Sequence, residues 1–309
     1  MNVRKYSPKI AAYLQVKPQV AHGVSKHKNP EIAGRKISSV LTEVAHKSAL
    51  TVYAKWLLAT TGKHLKNASR EDATKYQAWR AGRVRQSTLS LDRQAINMHC
   101  HFSQPLAFAI SSIATVVEDR AYSPSQVTYL RSRASVRLAF SIDLAINAGL
   151  RSMELITIAS LDCLTPSDRH WHAQRFHGRE GDQRFAVHGK GGLLREVRLE
   201  SSLGSQLTEF ARPTKTKISH RSAFLTSHYD LIAGHQFACS FGRLSKKELG
   251  FSHGGHGLRH SFAQERFLNL IYLGHDPAVA LQILSEELGH FSVSNTLAYL
   301  RTRFSASTA

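Results

Sequence analysis

Apolar residues recur at helical spacing over most of this chain and alternate with polar ones over one short stretch. Between residues 37 and 62, Ile37, Val40, Leu41, Val44, Ala45, Leu50, Tyr53, Ala54, Leu57 and Leu58 predict a long helix that stops at Thr61-Gly62. Ser69 predicts the cap of a second helix through Tyr76 and Trp79, with Glu71 and Asp72 in its first turn. Ser87 or Ser90 opens a third, through Leu91, Ala95, Ile96 and Met98. Leu106 to Val117 is apolar nearly all round, which predicts a buried fourth helix. Residues 1–36 have no such period. Pro8, Pro18 and Pro30 and the lysines Lys5, Lys9, Lys17, Lys26, Lys28 and Lys36 predict a basic, irregular arm. That arm either lies on a polyanion or only aids solubility.

Residues 120–125 read as a linker, with Ser123-Pro124 as the cap and first turn of the next helix. Residues 124–158 predict three helices, with Val136, Leu138, Ala139, Ile142, Leu144, Ala145 and Ile146 as core and Gly149 as a stop. The alternation lies between His170 and Leu199. It predicts a small antiparallel sheet, with Trp171 and Phe176 on a first strand, Phe185 and Val187 on a second, and a hairpin turn at Gly189-Lys190-Gly191-Gly192. Ser201 to Phe210 is a helix, Arg212 to His220 a basic surface loop, and residues 221–255 carry little pattern. A helix starting near His256 has Phe262, Phe267, Leu270 and Ile271 on its core face. Pro277 starts another that Gly289 stops, and Thr296 to Tyr299 is one short helix more. The expected fold is mainly α with a small antiparallel β-sheet: a helical domain over 37–119 and an α+β domain over 126–309.

Composition narrows the partner. Lys+Arg 41 against Asp+Glu 22 gives a formal charge of +19 over 309 residues, and the sequence pI is ≈ 10.2. A chain this basic suits a polyanion. A membrane surface is the rival, but no apolar run approaches bilayer-spanning length. Met1-Asn2-Val3-Arg4-Lys5 leads into mixed polar residues, not an apolar leader. Cys100, Cys163 and Cys239 are few, odd in number and far apart, which fits a reducing compartment, so a cytoplasmic protein is expected. Histidines number 18, and His253, His256 and His260 cluster, but no His-Glu-x-x-His and no cysteine pair accompanies them. No metal site is expected.

The chemistry concentrates near the C-terminus. In His256-Gly257-Leu258-Arg259-His260 a helix brings His256 and Arg259 onto one face, one turn apart. Arg259 can fork two donors onto two phosphate oxygens. His290 and Tyr299 follow. Two histidines, an arginine and a phenol suit attack on a phosphodiester with tyrosine as nucleophile. Upstream, Arg151 heads a helix with Glu154 three residues on to hold its fork, and Lys190 stands at the hairpin tip. Each has a plainer reading: a buried Arg151–Glu154 pair, core histidines, a packing aromatic at Tyr299 and a solvated turn lysine.

Gly149-Leu150-Arg151-x-x-Glu154-Leu155, Gly189-Lys190-Gly191, His256-x-Leu258-Arg259-His260-Ser261-Phe262, Leu288-Gly289-His290 and Tyr299 together resemble the tyrosine recombinases, the phage-integrase family. The resemblance covers roughly the C-terminal 180 residues, a single-domain length, and is looser upstream. It implies a two-domain clamp whose N-terminal helical core-binding domain precedes the catalytic domain. It implies catalysis by Arg151, Lys190, His256, Arg259, His290 and Tyr299, with Glu154 in support. It further implies cleavage and rejoining of DNA through a 3′-phosphotyrosyl intermediate, without metal, other cofactor or ATP. The implied partners are double-stranded DNA with inverted-repeat core sites, a homo-tetramer on that DNA, and accessory bending or directionality factors. Lys55, Lys63, Lys66, Arg70, Lys75, Arg80, Arg83 and Arg85 are then candidate phosphate contacts. Type IB topoisomerase-like relaxation and a non-cleaving DNA-binding protein on the same fold are the alternatives. Leu300 to Ala309 is a short tail for the segment such recombinases exchange between neighbours.

Overall fold

The computed structural model describes residues 6–22, 29, 31, 35–114, 118–189, 192–220, 223–290 and 292–304. The chain divides into two compact units, Met1–Val116 and Val117–Ala309.

The first unit is built on helices α1 (Pro8–Val16), α2 (Val40–Thr61), α3 (Arg70–Ala81) and α4 (Gln86–His99). Helix α2 ends where Gly62 takes the left-handed conformation, φ 70°, which costs glycine little. Helix α3 starts with a reciprocal box: the Ser69 side chain accepts from the Asp72 backbone and the Asp72 carboxylate from the Ser69 backbone. Leu50, Tyr53 and Leu57 of α2, Tyr76 of α3 and Ile96 of α4 form the core. Two expectations fail in this unit. Residues 8–16 are helical, not irregular: Ser7 caps α1, Pro8 fits its first turn, and Ala12 and Val16 are buried in the same core. The expected helix over Leu106–Val117 is not formed: its described residues are irregular, with one isolated bridge from Ile113 to Arg85. Side chains of α4 take its backbone groups: Asn97 Oδ1 accepts from Leu106 N and Gln86 Oε1 from Ser111 N, both at 2.8 Å. Phe108 and Ile110 are exposed, so the apolar run is not a buried surface.

The second unit opens with α5 (Pro124–Arg133), α6 (Val136–Asn147) and the single turn α7 (Glu154–Thr157). Strands β1 (Ala159–Ser160), β2 (Gln183–His188) and β3 (Leu194–Leu199) follow, then α8 (Ser201–Glu209), β4 (Ala211–His220) and β5 (Ala223–Tyr229). Helices α9 (Gly234–Leu249), α10 (Gly254–Tyr272), α11 (Pro277–Glu287) and α12 (Val293–Phe304) complete it. One sheet runs β1-β2-β3, antiparallel, with Phe185 opposite Val197; β4 and β5 form a separate two-stranded ribbon.

Three sequence expectations are corrected here. Trp171 and Phe176 lie in a turn-rich segment, not a strand; their rings lie 4.1 and 4.5 Å from the Arg175 guanidinium carbon. Arg212 to His220 is strand, not loop. The expected linker is fastened to this unit: Tyr122 is buried, its N–H donates to Ser261 Oγ at 2.8 Å, and its hydroxyl accepts from His253 N at 2.7 Å. The main core runs from α5 and α6 under the sheet to Leu258 of α10. A second cluster joins α10, α11 and α12 through Phe262, Leu270, Ile283, Leu284, Leu288 and Tyr299.

Candidate active site

The site is centred on Glu154, fully buried at the head of α7. Its carboxylate accepts from Arg151 Nη1 at 2.7 Å, Arg151 N at 2.8 Å and Arg195 Nη2 at 2.8 Å, and Arg259 Nη1 lies 3.7 Å away. Burial opposes ionisation of Glu154. The charges of Arg195, Arg259 and Arg151 outweigh it and hold the pKa well below the carboxylate range. Three guanidiniums on one carboxylate leave an excess of positive charge, and of the three only Arg151 reaches the surface, at 22 % side-chain exposure. An anion can approach there.

Arg259 is placed by backbone. It donates through Nη1 to Gly149 O and through Nη2 to Leu288 O. Burial, then the Arg151 charge, lowers its pKa to about 10, so it stays charged at neutral pH. Gly149 is required by its surroundings: its φ is +59°, and a Cβ there would lie 2.4 Å from Phe262 Cδ1. A larger residue would push the Gly149 carbonyl away from Arg259.

Arg195 is a member of the cluster that the sequence motifs did not single out. It is 1 % exposed, and it also donates to Glu287 O. The signal was present: residues 195, 197 and 199 share the buried face of β3, and an arginine on that face needs a buried acid.

Helix α10 begins at Gly254 and sets His256 one turn before Arg259. The Tyr299 hydroxyl lies 3.4 Å from Arg259 Nε and 3.3 Å from His256 Nε2, in the same chain. It therefore accepts from the guanidinium while facing an imidazole nitrogen that can take its proton. Tyr299 is only 7 % exposed, sits on α12, and its backbone carbonyl accepts from Gln264 Nε2 at 3.2 Å. The helix expected to span Thr296–Tyr299 is the longer α12.

His290, just past Gly289, places Nε2 3.3 Å from Arg259 Nη2 and Nδ1 2.8 Å from Thr296 Oγ1. The proton order follows from counting donors. Arg259 Nη2 can only donate, so its contact with His290 Nε2 uses the ring lone pair and leaves the ring proton on Nδ1, while Ser285 Oγ is the donor toward both Leu281 O at 2.7 Å and Thr296 Oγ1 at 2.8 Å. Thr296 Oγ1 then accepts from His290 Nδ1–H.

Burial first, and then the Arg259 and Arg151 charges, push the pKa of His256 down to about 4 and that of His290 to about 3. His256 keeps an open edge to solvent, so for it the guanidinium charges are the firmer cause. His260, buried, falls to about 4, by burial and then the His256 charge; its ring centroid lies 4.4 Å from that of Tyr299. All three are neutral at pH 7.

Lys190 lies outside the described residues. The residue before it, Gly189, faces the cluster: its Cβ position is 3.5 Å from Glu154 Oε1. Of the candidate phosphate contacts in the first unit, Lys55, Lys66, Arg70, Arg83 and Arg85 are exposed. Lys63 and Lys75 are exposed but paired, to Asp72 at 2.8 Å and Glu71 at 2.7 Å. Arg80 is better explained by structure than by surface charge. It binds Asp92 at 2.9 Å, and Asp92 also accepts from the Tyr76 hydroxyl. Among the described residues no group of three or more metal-capable side chains gathers, and no helix is long and apolar enough to cross a membrane.

No family model matches this chain, and no curated protein does. Solved structures match along nearly its whole length. The XerH site-specific recombinase, bound to palindromic difH substrate in a post-cleavage complex, is 16% identical with a TM-score of 0.55, over 99% of this chain and 98% of that one. A lambda integrase dimer bound to a COC′ core site is 14% identical with a TM-score of 0.53, over 97% and 83%. A lambda integrase tetramer bound to a Holliday junction is 14% identical with a TM-score of 0.52, over 92% and 80%. At these identities the likeness is one of fold: this chain has the architecture of the tyrosine recombinases.

Proposed function

We propose that this chain is a site-specific DNA recombinase that cuts and reseals DNA through a covalent bond to Tyr299. One observation carries the reading: a buried phenol poised between a guanidinium donor and a neutral imidazole, beside a carboxylate outnumbered by arginines. The fold likeness to recombinases solved on DNA, and the charge of +19, support a duplex as substrate.

In the reaction, Tyr299 oxygen attacks the scissile phosphorus as His256 takes the phenolic proton. Arg151 and Arg259 bind the non-bridging oxygens, whose charge grows in the five-coordinate transition state, and His290 helps to orient Arg259. The P–O5′ bond breaks, leaving a 3′-phosphotyrosine and a 5′ oxygen that must gain a proton; Lys190 is assigned that delivery. The reverse attack, by the same or an exchanged 5′ hydroxyl, restores the diester. Bond energy is kept in the phosphotyrosine, so no ATP is consumed. Glu154 and Arg195 are positioning residues: they hold the two guanidiniums that touch phosphate. Exchange needs two duplexes, and a homo-tetramer on paired inverted-repeat sites is the assembly proposed. The chain would act in the cytoplasm, at the nucleoid.

A nicked duplex built from the repeats flanking the gene tests this. Cleavage in EDTA should yield a protein-linked 3′ end and a free 5′ hydroxyl. Arg259→Ala should bind the same duplex with an affinity within about threefold, yet lose about 10²- to 10³-fold in cleavage rate. A 5′-linked adduct, or a strict Mg²⁺ requirement, rejects the reading.

A further inference from the structure

The ribbon of β4 and β5 has no part in the strand-transfer site. Between Ala211 and Tyr229 the sequence holds Arg212, Lys215, Lys217 and Arg221 and no aspartate or glutamate. Its base is fixed to the unit. Arg137 of α6 donates to Asp230 Oδ1 at 2.6 Å, the same oxygen that accepts from Arg212 at 2.8 Å, and Ser227 is buried.

Beyond the base the two faces differ. The pairs Lys217 with Thr226 and Ser219 with Phe224 share one face, and Lys215 precedes them at the shift of register between Ala211 and Thr216, where its charge acts on His228. All five are exposed, Phe224 to 76%. The opposite face carries Ile218, Leu225 and Ser227, each partly or fully covered. Among the described residues, ion pairs on the ribbon involve only Arg212; Lys215 and Lys217 have none. The nearby His228 has its pKa lowered, by burial and then by the Lys215 charge. A ribbon of only two strands with a solvated face is marginal alone, and a large apolar ring in open water next to unpaired Lys217, diagonally across the strands, gains nothing from solvent.

We propose that this face, Lys217 and Phe224 with the preceding Lys215, binds the phosphate backbone of duplex DNA away from the cleaved phosphate. The inference rests on the reading that the chain works on DNA, but not on the chemistry at Tyr299. Charge complementarity selects the partner. A second copy of a chain at +19 brings more positive charge, whereas a duplex brings a dense row of phosphates. The shape also fits, because the major groove admits a two-stranded ribbon.

The test uses the full chain with Lys215→Gln/Lys217→Gln, Lys215→Arg/Lys217→Arg and Phe224→Ser, each first checked for a wild-type melting temperature. Binding to a short linear duplex is followed by fluorescence anisotropy across a salt series. The glutamine pair should flatten the slope of log K against log salt by about 2 and weaken binding about tenfold at moderate salt, and the arginine pair should restore both. Phe224→Ser should weaken binding with little change in slope. At saturating protein the covalent adduct yield of all three should match wild type. Unchanged slope and affinity in the glutamine pair overturn the proposal. So does a change in sedimentation of the DNA-free protein with DNA affinity intact, which assigns the face to a protein partner. If the strand-transfer reading itself fails, wild type forms no adduct, yet the difference in salt slope remains measurable.

Discussion

His290 Nδ1 lies 2.8 Å from Thr296 Oγ1, one helical turn ahead of Tyr299 on α12. The helix that carries Tyr299 therefore also supplies the acceptor for the ring proton of a histidine on Arg259. Thr296→Val keeps the shape and removes the oxygen, stranding the His290 N–H at a cost of about 1–3 kcal/mol. If that cost falls on the transition state, adduct formation slows by about 10- to 100-fold. Thr296→Ser should retain most activity. Single-turnover cleavage supplies the rate, and ¹⁵N imidazole spectra report whether Nδ1 keeps its proton. A valine variant with wild-type rate and tautomer removes Thr296 from this role.

Glu154 balances the arginine cluster. Glu154→Gln leaves Arg151, Arg195 and Arg259 facing one another without a carboxylate, in a site where Glu154 has no solvent exposure. Breaking a buried ion pair from one side costs about 3–5 kcal/mol. Urea unfolding should register a loss of that size, eased by added phosphate. Equal stability of the variant would mean that the arginines are not held as the geometry requires.

Acid should destabilise the second unit in a defined window. In the unfolded chain a histidine titrates near 6.5, whereas folded His256 and His260 titrate at about 4 and His290 at about 3. Between those values the unfolded state binds more protons, so stability falls as pH falls from about 6.5 to about 4 and changes little above that range on their account. Buried His260 alone contributes on the order of 3 kcal/mol. The same titration ends proton acceptance by His256, so single-turnover cleavage by still-folded protein should be half-lost near pH 4. Urea unfolding at stepped pH checks the first statement. A flat profile down to pH 4 contradicts it.

How far the sequence could be read depended on whether a residue's partner was local. Ser69 with Asp72, Ser123 with Pro124, and Gly149 after α6 act within one turn, and all three mark helix ends in the structure. Arg151 with Glu154 is likewise three residues apart. Arg195 was missed because its acid lies 41 residues away and its carbonyl partner 92. Leu106 to Ile110 misled for a related reason: apolar composition favours burial, but side chains of Gln86 and Asn97 hold the backbone here as irregular, non-helical chain. Arg80 read as a free charge until folding brought Asp92 beside it from the next helix. In the basic stretch 211–220, strand pairing became visible only with β5 alongside, since alternation there is between two polar faces.

The most direct measurement is peptide mapping of the adduct trapped on a nicked duplex. Mass spectrometry should find the nucleotide on the peptide that contains Tyr299, at the phenolic oxygen. Tyr299→Phe should bind the duplex as wild type does and give no adduct. A nucleotide on any other residue, or an undiminished adduct in Tyr299→Phe, would contradict the account.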